Sequence, residues 1–301
     1  MHWPDPIKPW YFYRPVQLLR RLWRGICPPA EPVQVVWLPW GCSIEVDIRE
    51  TIGRSIWHIG VYELSTAEVL WRLTNRQMLA IDVGANIGAM TGLLAAKAAE
   101  VWAFEPHPEL ASRLRRNVSR FSGRPGFAPS VVYELALSDR AGQARLAMPD
   151  DFANNHGLAQ LVDLDTEEAA DYREQLLVST VRLDDLVGER TVGLMKLDVE
   201  GHELAVLHGA QAALASGRIR NLVFENHAGP GSPVCRLLQG YGYNLYLIQW
   251  RFTGPRLAPV DQPPRPYEPP NYLATREPAT AQAICQKRGW HCLRSSPSEP
   301  C

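Results

Sequence analysis

Between residues 79 and 227 the apolar positions fall in short strand-like runs separated by stretches of helical spacing, the pattern of a parallel sheet covered by helices on both faces. The strands read as Leu79 to Val83, Val101 to Glu105, Val131 to Leu137, Gly193 to Val199 and Asn221 to Glu225, with a later pair near Tyr243 to Gln249 and Asn271 to Thr275. Two helices are legible, one following Gly88 through Leu93 and Leu94 to Ala98, the other running from Glu203 to Ala213. Ahead of this core, alternating runs between Val33 and Ile59 predict a small β-hairpin module. Residues 253 to 270 carry Pro255, Pro259, Pro263, Pro264, Pro266, Pro269 and Pro270, which predicts a loop rather than a helix or central strand. The last dozen residues read as a frayed tail, and the chain shows no internal repeat. The expected fold is therefore α/β, a doubly wound sheet over residues 61–252. An N-terminal extension over 1–60 precedes it, and a Pro-rich loop, final strand and tail over 253–301 follow.

One stretch before the hairpin has a rhythm of its own. Over Val16 to Ile26 an apolar stripe of Leu18, Leu19, Leu22, Trp23 and Ile26 faces away from Arg14, Gln17, Arg20, Arg21 and Arg24. Such a basic amphipathic helix suits an anionic membrane or glycolipid surface; the plainer expectation is a helix docked on the domain with its arginines in water.

Composition narrows the classes. The 301 residues hold 31 Lys and Arg against 32 Asp and Glu, a formal net charge of −1, so a broad nucleic-acid-binding surface is not expected. Cys27, Cys42, Cys235, Cys285, Cys292 and Cys301 form no C-x-x-C pair, which argues against a zinc ribbon or redox motif and for a reduced, cytoplasmic chain. Cys285, Cys292 and Cys301 are expected in a poorly ordered tail. No apolar run approaches the roughly 20 residues of a membrane span, and the first residues lack the apolar stretch of a signal peptide.

The chemistry concentrates where the first strand ends, at Asp82-Val-Gly-Ala-Asn-Ile-Gly88. Gly84 permits a tight turn and Gly88 a close helix start, so a ligand sits against Gly84, Ala85, Asn86 and Gly88 at the strand's carboxyl end. A dinucleotide fingerprint would read G-x-G-x-x-G. Here an acid stands before the turn instead, suited to the ammonium and sulfonium of S-adenosylmethionine. About twenty residues on, Glu105-Pro106 ends the second strand, where a carboxylate accepts hydrogen bonds from ribose hydroxyls. Ala136 and Leu137, ending the third strand, are placed to flank the adenine.

Together with Phe104-Glu-Pro106, Leu183-Asp-Asp-Leu186, Lys196-Leu-Asp-Val-Glu-Gly-His-Glu203 and Phe224-Glu-Asn-His227, this turn resembles the FkbM family of methyltransferases over roughly residues 60 to 250. The resemblance implies a Rossmann-like class I methyltransferase sheet of seven strands, one antiparallel, that transfers methyl from S-adenosylmethionine to a hydroxyl of a sugar, glycolipid or polyketide-type acceptor. Lys196, Asp198 and Glu200 alternate along a strand end and demand a polar cleft. An alcohol attacks poorly at neutral pH without a base, and the candidates are Glu200, His202, Glu225 and His227, with Asp198 beside the methionine part of the cofactor. Asp198 with Glu225 and Asn226 is also similar to the Mg²⁺ ligands of catechol-type methyltransferases, though Glu replaces an Asp. In the loop Asp150 to Gly157, Asn155 and His156 are candidates for holding a sugar. A nicotinamide-dependent oxidoreductase and a non-catalytic binding scaffold stay open as other classes.

Overall fold

The structure is a computed structural model and describes residues 19, 23, 24, 26, 29–149, 152, 159–162, 174–265 and 269–293. A hairpin of β1 (Val33–Trp37) and β2 (Ser43–Asp47) leads into α1 (Thr51–Ile59) and α2 (Leu64–Leu73). The expected hairpin module thus ends before residue 51. Glu50 caps α1, its carboxylate accepting from the amides of Ile52 and Gly53, and Gly60 ends the helix at φ 80°.

Eight strands make the main sheet: β3 (Leu79–Val83), β4 (Glu100–Phe104), β5 (Ser130–Tyr133), β10 (Val192–Leu197), β11 (Asn221–Glu225), β12 (Asn244–Arg251), β13 (Gly254–Pro259) and β14 (Asn271–Thr275). Their order is β13-β12-β14-β11-β10-β3-β4-β5. β5, β4, β3, β10 and β11 run parallel, β14 inserts antiparallel between β11 and β12, and β12 returns to the common direction. These seven strands have the arrangement that the resemblance implies. The eighth, β13, is a correction to the Pro-rich loop: it pairs antiparallel with β12 at the sheet edge, where Pro255 and Pro259 need no outward donor.

Both faces of the sheet are covered. Leu79, Ile81 and Val83 pack into one core with Phe104, Leu197 and Phe224, while Ala80 faces the other with Ala103, Leu194 and Val223. Such two-sided burial makes each central strand a nearly continuous apolar run. Against the second core lie α2, α3 (Ala89–Ala95) and α4 (Pro108–Ser119); the first is covered by α5 (Leu183–Val187), α6 (Glu203–His208), α7 (Gln211–Ala215) and α8 (Pro233–Gly240). The helix expected over Glu203 to Ala213 is two helices. A side chain at Gly209 would come within 1.9 Å of the Ser138 carbonyl oxygen, and the Asp184 carboxylate caps the new start through the amides of Ala212 and Ala213.

A second, four-stranded sheet has the order β6-β9-β7-β8, from β6 (Ala136–Leu137), β7 (Gly142–Met148), β8 (Gln160–Val162) and β9 (Glu174–Val181). The run from Val131 to Leu137 is therefore split between two sheets.

The stretch from Pro278 to Leu293 is held in place. In α9 (Pro278–Cys285) and the 3₁₀ turn His291–Leu293, Cys285 and Cys292 are buried, with burial raising both thiol pKa values. Glu68 of α2, itself buried, accepts from the amides of His291 and Cys292 and pairs with Arg72 at 2.6 Å. Arg72 donates in turn to the carbonyls of Ile284, Cys285, Lys287 and Gly289. The frayed tail is corrected up to residue 293, and Cys301 lies outside the described residues. Among the described residues no helix is long and apolar enough to cross a membrane.

Candidate active site

Two adjoining cavities open at the carboxyl ends of β3, β10 and β11. The first, about 110 Å³, is walled by Gly84, Ala85 and Asn86 of the β3 turn, by Glu105 and Pro106 after β4, and by Lys196, Asp198 and Val199. The second, about 340 Å³, is bounded by α1 and α2 together with Ile248, Trp250 and Asn271. Tyr62, Glu200 and Glu225 belong to both walls.

The β3 turn is set by steric necessity. Gly84 lies at φ 73°, and a Cβ there would stand 1.8 Å from the Asp198 carbonyl oxygen, so glycine lets the β3 and β10 ends touch. Gly88 lies at φ 90° with Leu114 at 2.7 Å from where a Cβ would be. Glu105 accepts from the amide of Asn86 at 2.9 Å and from that of His107 at 3.0 Å, which aims it at the first cavity. Burial pushes its carboxyl up to about 7 against the pull of those amides.

Asp82 lies beneath this floor and not on the cavity wall. It is fully buried, its Oδ2 accepts from Thr91 Oγ1 at 2.6 Å, and Oδ1 faces Lys196 Nζ at 3.7 Å, beyond hydrogen-bond reach. Burial raises its pKa, with Lys196 and Thr91 opposing. Lys196 also reaches Asp198 Oδ2 at 3.1 Å and donates to the Gly84 carbonyl at 3.2 Å. Burial pulls the pKa of this lysine down, and Asp198, Asp82 and Glu63 together hold it above the ordinary value.

The acids gather where the cavities meet. Glu200 sits at φ 51°, and burial first, then Asp198 and Glu225, push its carboxyl up to about 7. Glu225 is raised by burial and by Asp198, and it accepts from His227 Nε2 at 2.8 Å. The His227 side chain is 75% exposed, outside both cavities. His202 is placed elsewhere: its ring meets Ser138 Oγ at 3.0 Å behind the loop. Glu203 accepts from the amides of Val199 and Gly201 and fixes the bend that presents Glu200.

Ala136 and Leu137 are buried in β6, away from the cavity wall; Leu146 and Leu161, register partners across β7 and β8, take that side with Ala159. Asn155 and His156 lie outside the described residues. Sequence reasoning passed over Tyr62 and Glu63. Glu63, at φ 44°, accepts from Asn271 Nδ2 at 3.1 Å, and burial and Asp198 push its carboxyl up to about 8. Among the described residues the non-glycine positions at positive φ are Glu63, Asn86 and Glu200, and all three line the cavities. Backbone strain of this kind gathers at functional sites.

The donor set decides between ligands. Carboxylates at Glu105 and Asp198, with apolar walls from Met90, Leu146 and Leu161, fit a cationic nucleoside. A diphosphate is disfavoured by the charge of the wall, where Glu105, Asp198, Glu200 and Glu225 stand against Lys196, itself engaged by Asp82 and Asp198. Of the residues similar to a magnesium set, Asp198 pairs with Lys196 and Glu225 with His227. Asn226 donates from its Nδ2 to the Gly229 carbonyl, Ser232 Oγ and Cys235 Sγ.

The family model described as the methyltransferase FkbM domain matches residues 82–245, more than half of the chain. The chain is 34% identical over 198 residues to the 31-O-demethyl-FK506 methyltransferase FkbM of Streptomyces tacrolimicus, covering 56% of this chain and 73% of that protein. It is 34% identical over 173 residues to the hexuronic acid methyltransferase AglP of Haloferax volcanii, covering 56% of this chain and 59% of that protein, less than two thirds of its length. Among solved structures, the methyltransferase FkbM of Methylobacillus flagellatus KT overlaps 67% of this chain and 44% of its own, with 16% identity and a TM-score of 0.43.

Proposed function

The chain belongs to the FkbM methyltransferase family, and on that premise we propose that it is an S-adenosylmethionine-dependent O-methyltransferase acting on a hydroxyl of a small-molecule or glycan acceptor. The observation that carries this reading is the shared wall of Glu200 and Glu225 between the cleft that Glu105 and Asp198 line and a larger second cavity.

S-adenosylmethionine, when bound, supplies an electrophilic methyl group. The chain's own residues do the rest. Glu105 would receive the ribose hydroxyls, the β3 turn would admit the ligand close to its backbone, and Asp198, paired with Lys196, would face the amino-acid end. In the second cavity Tyr62 and Trp250 offer flat surfaces for the acceptor. Glu200 takes the proton from the attacking hydroxyl, and the Glu225–His227 pair leads from the cavity wall to solvent, where the proton leaves. A general base so placed contributes about 10² to 10⁴ in rate. A hydroxylated acceptor is supported by the two curated relatives, whose names record a demethyl-FK506 and a hexuronic acid as what they methylate.

Transfer of label from methyl-labelled S-adenosylmethionine to a panel of glycosides and macrolides tests the reading. Label should enter a hydroxyl oxygen and persist in EDTA. Turnover of a nicotinamide cofactor in the same preparation, with no label transferred, would overturn it.

A further inference from the structure

Glu63 is a helix-start acid that does not cap its helix. At the start of α1, Glu50 does what an acid there ordinarily does, accepting from the amides of Ile52 and Gly53. Glu63 holds the same place before α2, yet no amide of that helix start donates to its side chain. Its partners are the side chains of Asn271, which donates at 3.1 Å from β14, and of Thr66. The backbone there stands at φ 44°, which a residue with a side chain rarely adopts. Two local preferences are thus given up to hold a carboxyl on the wall of the second cavity, and strain of this kind belongs to a binding function.

The wall around it is acidic. Among the described residues the second cavity is lined by Glu63, Glu200 and Glu225 and by no Lys, Arg or His. Lys196, on the wall of the first cavity, is engaged by Asp82 and Asp198. The arginines of the bounding helices are directed elsewhere: Arg72 pairs with Glu68, and Arg54 is exposed. Arg24 docks on α1 with its guanidinium 4.4 Å over the Trp57 ring while Leu19, Trp23 and Ile26 are exposed, the reverse of the expected docked stripe with solvated arginines. Ser55 and Asn271 add uncharged polar groups, beside the flat surfaces of Tyr62 and Trp250. A hydroxyl both donates and accepts, so it can answer a carboxyl, an amide or another hydroxyl. A carboxylate on the acceptor would only accept, and it would stand against Glu63, Glu200 and Glu225 with no cation on that wall among the described residues.

We propose that Glu63, held by Asn271, is a specificity-determining residue that makes the second cavity select an uncharged, hydroxyl-rich acceptor and reject a carboxylated one. This rests on the second cavity being the acceptor's place, as proposed above.

Transfer of labelled methyl to matched acceptors tests it: the methyl glycosides of glucose and galactose, the corresponding uronides, and the methyl esters of those uronides. kcat/KM for the hexosides should exceed that for the uronides by at least about tenfold, and the esters, uncharged but shaped like the uronides, should recover most of that loss. Glu63→Gln should narrow the hexoside-to-uronide ratio by about tenfold. A merely structural role would lower both members and leave their ratio in place, and S-adenosylhomocysteine affinity reports whether the variant is folded; if it is not, the wild-type ratios decide. Uronides turned over as well as hexosides, esters rejected as strongly as uronides, or a ratio that folded Glu63→Gln leaves unaltered would each overturn the proposal while leaving methyl transfer to a hydroxyl intact. Label in none of these acceptors would overturn it as well, and label in no hydroxylated acceptor of any kind would take the O-methyltransferase reading with it.

Discussion

Glu200 is held in a left-handed conformation by the bend that Glu203 staples, facing Asp198 and Glu225 across the junction of two cavities. With its carboxyl pushed up to about 7, it is ionised and able to accept a proton only above that range. The methyl-transfer rate should therefore rise with pH through about 7, the limb belonging to the acidic cluster as a whole. Glu200→Gln should remove that limb and lower kcat by about 10²-fold or more, with cofactor affinity little changed; a pH–rate profile of the two proteins checks this, and an unshifted limb in the variant would move the role to Glu225. At this scale the strand-end residues were readable, because an acid or glycine at the end of an apolar run has only the sheet's rim to occupy. Glu105, Gly84, Asp198, Glu200 and Glu225 all stand there. Asp82 shows the limit of that logic: its position along the strand is plain, but period two turns it down onto Thr91 and Lys196, beneath the cavity floor. Glu63 was illegible because nothing in a linear pattern brings it beside Asp198, more than a hundred residues away.

α2 does two things along its length. Its start carries Glu63 into the second cavity, and its middle carries Glu68 and Arg72, whose pair ties down α9 and the turn after it. Both side chains are nearly inaccessible, so removing one leaves the other charge buried without compensation. Arg72→Ala should cost about 3–5 kcal/mol of stability in urea denaturation, and it should expose the stretch after residue 278 to limited proteolysis. Loss of less than about 1 kcal/mol would show that the clamp does not bear on folding. The sequence reading treated this region as a tail because Cys285, Trp290 and Cys292 are too sparse to form a periodic stripe. Their burial depends on a helix more than 200 residues earlier. α1 was misread for a different reason: its signals, Glu50 at the cap and Gly60 at the stop, bracket a run whose β-branched residues also suit a strand. The second sheet went unseen because its strands run across a segment in which polar residues outnumber apolar ones.

For the molecule as a whole, the site is a concentration of like charge that folding must tolerate. Glu63, Glu105 and Glu200 have folded-state pKa values of about 8, 7 and 7 against an ordinary 4.5. Each binds its proton more tightly in the folded chain than in the unfolded one. Their contribution is thus full below the ordinary value and is lost as pH rises through about 7 to 8. The ligand-free protein should melt at a lower temperature at pH 8 than at about pH 6, and Glu63→Gln should flatten that slope; a slope unaltered in the variant would remove Glu63 from the account. The doubly wound sheet was legible at this scale because strands buried on both faces are written as continuous apolar runs, whereas β13 was hidden by prolines that an edge alone accommodates. The central claim, that this sheet carries an S-adenosylmethionine site ending in Glu105, is tested most directly by calorimetric titration of S-adenosylhomocysteine, with NADH in parallel, into the wild-type chain and Glu105→Ala. S-adenosylhomocysteine should bind at one site per chain and lose about tenfold to a hundredfold in affinity in the variant. Binding of NADH in its place, or an affinity that Glu105→Ala leaves unaltered, would contradict the account.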